Sequence, residues 1–340
     1  MKRIGIIPKV SGVGGMVSFQ AKLIHGLAAR GIQHSFELSE PLESLLVIGG
    51  TRQLGALRRA RQRNIPVVQR LDGINWLHRR MRTGLKHWLR SERGNRVLAY
   101  IRSQLATGIV YQSRFVQEWW QRQFGPGPDW RVIHNGVDLT AFTPEGEEMP
   151  PASHFRILVV EGSLRGGYEL GLDSAIQLVQ TLEREHKLDI ELAVAGMVSE
   201  VQRMRYARRT LRPIDWLGVV ANDKVPALNR GAHLLYSTDI NAACPNSVIE
   251  ALACGLPVLA YDTGALNELV PASAGRLVAY GGDPWRLEPP DAPALAAAAA
   301  DLLTAPAAQQ AAMRQAARQY AEAHLGLDKM LDAYLEALRG

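Results

Sequence analysis

The stretch Cys244-Pro245-Asn246-Ser247-Val248-Ile249-Glu250-Ala251-Leu252-Ala253-Cys254-Gly255-Leu256-Pro257-Val258-Leu259-Ala260 decides how this chain folds. Pro245 and Asn246 halt what precedes them, Ser247 can cap a short helix, and Gly255 can end it before a buried strand starts at Pro257. A short helix running into an apolar strand is half of a βαβ unit, and such units build parallel sheets. Ligands of open sheets of this kind bind outside the carboxyl ends of the strands, where the helix N-terminus points. The amides of Asn246, Ser247 and Val248 would there suit a diphosphate, because unpaired N–H groups and the helix dipole both favour negative charge. Glu250 has two readings. It is either the last member of a Ser247-x-x-Glu250 capping box or the acceptor for the two hydroxyls of a ribose.

The same alternation repeats along the chain. Apolar runs at 4–7, 45–48, 67–68, 109–111 and 132–133 read as buried strands, with helical patterns such as 17–30 and 53–63 between them. A Pro- and Glu-rich stretch from Pro144 to Pro151 reads as a linker, after which strands are expected at 157–160, 190–195, 234–236 and 257–260. Ala-rich helices follow over 296–300 and 307–323, Gly326 stops the second, and 327–338 reads as a final helix. The expectation is an α/β protein of two doubly wound, Rossmann-like domains facing across a cleft. Residues 1–150 form the first, 151–322 the second, and 323–340 pack back on the first.

With 340 residues the chain can bury two cores, and 47% hydrophobic with 21% charged residues excludes a disordered or fibrous chain. Cys244 and Cys254 are too few for a disulfide framework and have no neighbours at metal-ligand spacing, so a reducing cytoplasm is the simplest setting and no metal is expected. No apolar run reaches the 18 residues of a membrane span, and the opening Met1–Pro8 segment reads as a strand rather than a leader. Residues 1–150 hold 22 Lys and Arg against 11 Asp and Glu, whereas the rest of the chain is net acidic. Fourteen of those cations fall between Arg52 and Arg102, facing only Asp72 and Glu92. Such a stretch is either a solvated helix face or a surface for polyanions or anionic lipid, and Trp76, Trp88, Trp119 and Trp120 supply aromatics in the same domain. No nucleic-acid-binding signature accompanies it, so nucleic acid is not an expected partner.

Three smaller features carry chemistry. Gly12-Val13-Gly14-Gly15 follows the first strand and can be a tight turn or a loop that presents amides to an anion. Asn135-Gly136 is a turn dipeptide at a candidate hinge. Asp72 in Asp72-Gly73 is either a turn residue or a carboxylate available for chemistry.

Taken together, the 244–260 stretch with Thr263-Gly264-Ala265-Leu266-Asn267-Glu268, Gly14-Gly15, Gln112-Ser113-Arg114-Phe115, Ile133-His134-Asn135-Gly136-Val137-Asp138 and Trp216-Leu217-Gly218-Val219 resembles, in order, the landmarks of glycosyltransferase family 4. These are retaining "group 1" enzymes of the GT-B fold, and the resemblance covers nearly the whole chain. It implies that Glu250, as the second Glu of the family's Glu-x7-Glu motif, holds the donor ribose. It also implies that Gly264 and Glu268 shape the donor pocket and that Gly14 and Gly15 approach donor phosphates and acceptor. Two departures stand out. Ala242 occupies the place of the first motif Glu, with Asp239 or Asn241 as partial substitutes, and the family's phosphate-binding Arg and Lys are absent after the strand ending at Val160. Arg165 is the nearby cation and the candidate for stabilising the departing diphosphate, or else a solvated loop residue.

The function expected is metal-independent transfer of a hexose-type sugar from a nucleoside-diphosphate sugar to a hydroxyl acceptor. A glycan or lipid-linked acceptor of the cell envelope or an exopolysaccharide fits, with the enzyme cytoplasmic or peripheral at the inner face of the membrane. No cofactor beyond the donor substrate is expected. Asp72 and Arg165 are the candidates for chemistry, and Gly14, Gly15, Asn246, Ser247, Val248, Glu250, Gly264 and Glu268 those for binding. The alternative is a non-catalytic GT-B protein that binds a nucleotide or glycan.

Overall fold

A computed structural model describes residues 3–12, 14–38, 41–164 and 169–339. The chain divides into two units, one made of Met1–Gly136 and Leu327–Gly340, the other of Val137–Gly326. The first unit begins with β1 (Arg3–Ile7), α1 (Gly15–Ala29), β2 (Gln33–Ser35), β3 (Ser44–Ile48), α2 (Leu54–Gln62) and β4 (Val67–Leu71). It continues with α3 (Leu85–Tyr100), β5 (Gly108–Tyr111), α4 (Arg114–Phe124) and β6 (Asp129–Val132). Its six strands pair in the order β2-β1-β3-β4-β5-β6, every pair parallel.

The second unit holds β7 (Phe155–Ser163), α5 (Glu169–Arg184), β8 (Ile190–Met197), α6 (Glu200–Tyr206), β9 (Asp215–Gly218) and α7 (Val225–Arg230). After these come β10 (Leu234–Ser237), α8 (Asn246–Ala253), β11 (Val258–Tyr261), α9 (Leu266–Leu269), β12 (Gly275–Val278), α10 (Ala292–Leu303) and α11 (Ala307–His324). Its strands, again all parallel, lie in the order β12-β11-β10-β7-β8-β9. Last, α12 (Leu327–Arg339) belongs to the first unit.

The central strands form because parallel sheets are covered on both faces, which suits unbroken apolar runs such as Leu45-Leu46-Val47-Ile48, buried at every position. On one face of the first sheet, Phe19, Leu23 and Leu27 of α1 share a core with Met330, Leu331, Tyr334 and Leu338 of α12. The two helices approach closely because α1 carries Gly26, where a Cβ would stand 2.1 Å from Leu331 Cδ1. The second sheet is covered on one side by α5 and α10 and on the other by α8 and α11. Arg318 of α11 donates to the carbonyls of Leu139, Phe142 and Ala253, tying the segment that enters this unit to the end of α8.

Contrary to expectation, most of the four tryptophans of the basic first domain are not at its surface. Trp119 and Trp120 are buried, and Trp120 donates its indole N–H to the Asp72 carbonyl at 2.8 Å, so these rings fill the core. Trp76 is half-buried, and Trp88 alone of the four is exposed.

Candidate functional site

The strand order of the second unit creates a crevice. From β7 the chain winds one way to β8 and β9, then crosses back to lay β10 on the other side of β7. The loops leaving the carboxyl ends of β7 and β10 therefore part in opposite directions, which is where doubly wound sheets take ligands. Glu161 stands at that end of β7, and Asp239 follows β10. Burial pushes both carboxyls above their ordinary range, and the Asp239 charge raises Glu161 further, against a weaker opposing hydrogen bond from Thr238. That bond runs from Thr238 Oγ1 to Glu161 Oε1 at 3.4 Å. Burial and mutual repulsion thus both favour the protonated form of this pair. Gly171 in the first turn of α5 seats the helix against the same loop, since a Cβ there would meet Thr238 Oγ1 at 2.7 Å.

Beside this crevice, α8 departs from the capping-box reading. The helix starts at Asn246 with Pro245 in the cap position, and no side chain caps it. Ser247 is already inside the first turn, so it cannot serve as cap, and Glu250 is one turn in and buried. Pro245 takes the cap because its fixed φ ends the preceding loop there, at φ −69° and ψ 121°. The amides of Asn246, Ser247 and Val248 thus lie in a first turn that no side chain closes. At the other end Gly255 behaves as expected. It adopts φ +68°, its N–H bonds Leu252 O at 3.0 Å and the Leu256 N–H bonds Ala251 O at 2.9 Å, a Schellman stop.

The loop after β11 is zipped onto the segment before α8. Thr263 Oγ1 accepts from the Asn241 N–H at 3.2 Å, and the Ala265 N–H donates to Ala242 O at 2.8 Å. Between them Gly264, at φ +63°, lies so close that a Cβ would fall 2.4 Å from Ala242 N. Ala242, in the place of the family's first Glu, is 1% exposed beneath this loop. Glu268, on α9, is half-buried, and its carbonyl accepts from Tyr320 OH at 2.8 Å. Burial and the Glu268 charge together raise that phenol.

The remaining candidates are in the first unit or outside the described residues. Gly14 precedes α1 at φ +129° with open space where a Cβ would be, and Gly15 is the first helical residue. Asp72 follows β4, and burial raises its carboxyl against the pull of the Arg70 charge. Arg70 itself is buried, stacks 3.9 Å from the Phe19 ring centroid and donates to Asn135 Oδ1 at 3.0 Å, while Asn135 Nδ2 donates to Gln112 Oε1 at 3.2 Å. Asn135 is thus part of a buried polar network at the strand ends rather than only a turn residue. Arg165 lies outside the described residues.

Sequence reading missed Glu161. Its available signal was an acidic residue ending a buried strand directly before Gly162-Ser163, where the resembled family shows cations farther on. A second titratable group, His154 with Glu191 and Arg156, lies at the opposite, amino ends of β7 and β8 and pairs internally at 2.5 and 3.1 Å. Among the described residues no group of three or more His, Cys, Asp or Glu could hold a metal ion, and no helix is long and apolar enough to cross a membrane.

Comparisons with known proteins bear on the fold. Residues 158–320 match the family model of "Glycosyl transferases group 1". Over 145 residues the chain is 28% identical to a subunit of human phosphatidylinositol N-acetylglucosaminyltransferase, a match covering 41% of this chain and 28% of that protein. Among solved structures, a sucrose-phosphate synthase from Thermosynechococcus elongatus superposes with a TM-score of 0.78 at 16% identity, covering 100% of this chain and 98% of the other. Anabaena HepE in complex with UDP-glucose gives 0.74 at 15% identity, covering 99% of each chain. WaaG, a glycosyltransferase involved in lipopolysaccharide biosynthesis, gives 0.72 at 16% identity, covering 99% of this chain and 100% of the other. The chain has the GT-B fold, and its residues 158–320 are similar to the group 1 glycosyl transferases.

Proposed function

We propose that this protein transfers a sugar from a nucleoside-diphosphate sugar to a hydroxyl acceptor with retention of anomeric configuration, as glycosyltransferase family 4 enzymes do. The observation that carries the reading is the uncapped first turn of α8 beside the β7/β10 crevice, inside the stretch that matches the group 1 family. Leaving-group departure puts charge on the diphosphate, and helix amides already oriented towards it stabilise that charge more than they stabilise the bound donor. Glu250, buried on the same helix, accepts from the ribose diol. The Gly264 loop closes one wall, and Asp239 with Glu161 accepts from hydroxyls of the transferred sugar in place of the missing first motif Glu. Asp72 faces the acceptor, and Arg165 assists the departing diphosphate. No divalent metal enters this scheme, because amides take the anion. Retention needs no protein nucleophile when a donor phosphate oxygen takes the acceptor proton on the same face.

A uridine diphosphate sugar is the first donor to test, since HepE of the same fold is solved with UDP-glucose. An acceptor of cell-envelope or exopolysaccharide synthesis suits the likeness to WaaG. The second reading, a non-catalytic nucleotide- or glycan-binding protein, has its own support. Ala242 replaces a carboxylate, and an acidic pair stands at the crevice where cations were expected.

Calorimetric titration with UDP, GDP, ADP and CDP separates the cases. Micromolar binding of one nucleotide corresponds to about 8 kcal/mol, and it should weaken at least about tenfold in Glu250→Gln, a loss worth about 1.4 kcal/mol. Binding with turnover of a sugar nucleotide establishes the transferase. Binding without turnover leaves the nucleotide binder, and no binding of any of the four removes the transferase and leaves a glycan as the ligand of the crevice.

A further inference from the structure

The first two turns of α3 are largely exposed. Of its 16 residues only Asn95 is buried, and its first two turns carry Leu85, Trp88 and Leu89 at 73%, 41% and 54% exposure. The spacing i, i+3, i+4 puts the three on one face of the helix. Apolar groups gathered this way on a soluble surface mark a contact. Arg80 and Arg82 precede the helix and Lys86, Arg90, Arg93 and Arg96 lie along it, all exposed, and among the described residues none of the six enters an ion pair. The helix's acid, Glu92, is already taken by Arg79 at 2.6 Å and His78 at 2.8 Å, and those hydrogen bonds hold it down to about 2. The start of the helix therefore combines an exposed apolar face with neighbouring uncompensated positive charge.

We infer that the first two turns of α3 are a docking surface for an anionic lipid bilayer, with Leu85, Trp88 and Leu89 entering the headgroup region and the neighbouring cations meeting lipid phosphates. Charge complementarity selects this occupant. A second copy of the chain would bring like charges together, and a nucleic acid would leave Leu85 and Leu89 in water. The apolar face supplies insertion and the cations supply attraction, which is the pairing that interfacial helices use. This inference does not depend on the transferase reading, but joined to it, it brings the enzyme to the plane in which a lipid-linked acceptor lies.

Co-sedimentation with phosphatidylcholine vesicles, with and without phosphatidylglycerol, tests it without reference to activity. The wild-type protein should bind the anionic vesicles and not the neutral ones. L85S/W88S/L89S and, separately, K86E/R90E/R93E should each bind at least about tenfold more weakly. The substituted positions are exposed, so thermal unfolding should be unchanged in both. The blue shift of tryptophan emission on adding anionic vesicles should be smaller in Trp88→Phe. Wild type that ignores anionic vesicles overturns the inference. So does a well-folded triple-serine variant that binds as wild type does, or a concentration-dependent dimer that this variant abolishes.

Discussion

Gly264 holds the loop after β11 by having no side chain. At φ +63° and with Ala242 N where a Cβ would stand, Gly264→Ala cannot be absorbed by a rotamer change, and backbone must move. We expect it to cost about 1–3 kcal/mol in urea unfolding of this unit, and to weaken nucleotide binding through the displaced segment before α8. Glu161 offers a different handle. Folded, its carboxyl keeps a proton up to about pH 8; unfolded, it ionises near the ordinary Glu value of about 4.5. The folded state binds more protons across that window, so its contribution to stability falls as pH rises through it. Glu161→Gln should flatten the loss of urea stability between about pH 4.5 and about pH 8. It should also lessen any weakening of diphosphate binding over the same range. A sequence shows where such a carboxylate is but not how dry its surroundings are. Asp239 stands out in the sequence because a motif position is empty beside it, and Glu161 does not, because only the fold puts the two strand ends together.

Caps separate α8 from α6. Ser199 caps α6 through a full box with Gln202, accepting from the Gln202 N–H at 3.3 Å, whereas Ser247 caps nothing. Ser199→Ala should therefore cost about 1 kcal/mol, and Ser247→Ala less than about 0.5 kcal/mol, in parallel urea titrations. The reverse order would restore the capping box. The Ser-x-x-Glu spacing suggests that box, but the spacing cannot say which of Pro245, Asn246 or Ser247 takes the cap, and the ring of Pro245 decides it. Central strands are readable for a plain reason: β1, β3, β5, β7, β8, β10 and β11 are built on apolar runs with cover on both faces, and β4 on its opening Val67-Val68. Edge strands are harder. β2 (Gln33–Ser35), β9 (Asp215–Gly218) and β12 (Gly275–Val278) each lie at a sheet margin or carry exposed polar positions, so their hydrophobic pattern is thin. The Trp residues of the basic first domain mislead in the opposite way, because composition cannot distinguish a ring under α4 from one in water.

Each unit has its own sheet and its own buried clusters, yet the first is assembled from two distant pieces of chain. A chain ending after Gly326 would lack Met330, Leu331, Tyr334 and Leu338, leaving Phe19, Leu23 and Leu27 uncovered. Calorimetry of that truncation should show the transition of the first unit lowered or lost and that of the second retained, since no α12 residue belongs to the second unit's clusters. The alternation of strands and helices makes this two-sheet plan legible, along with a final helix, from the repeat of apolar runs alone. What the helix packs against depends on Gly26 meeting Leu331, a pairing between distant parts of the chain that no local pattern reveals. The same interruption sets an order of events during synthesis. The ribosome delivers the 190 residues of Val137–Gly326 before the first α12 residue appears, an interval of about 10–40 s. For that time the nascent first unit carries a bare apolar groove while the later unit can already close, so trigger-type chaperones would find their client at residues 19–27, and slow codons within 137–326 would lengthen its exposure.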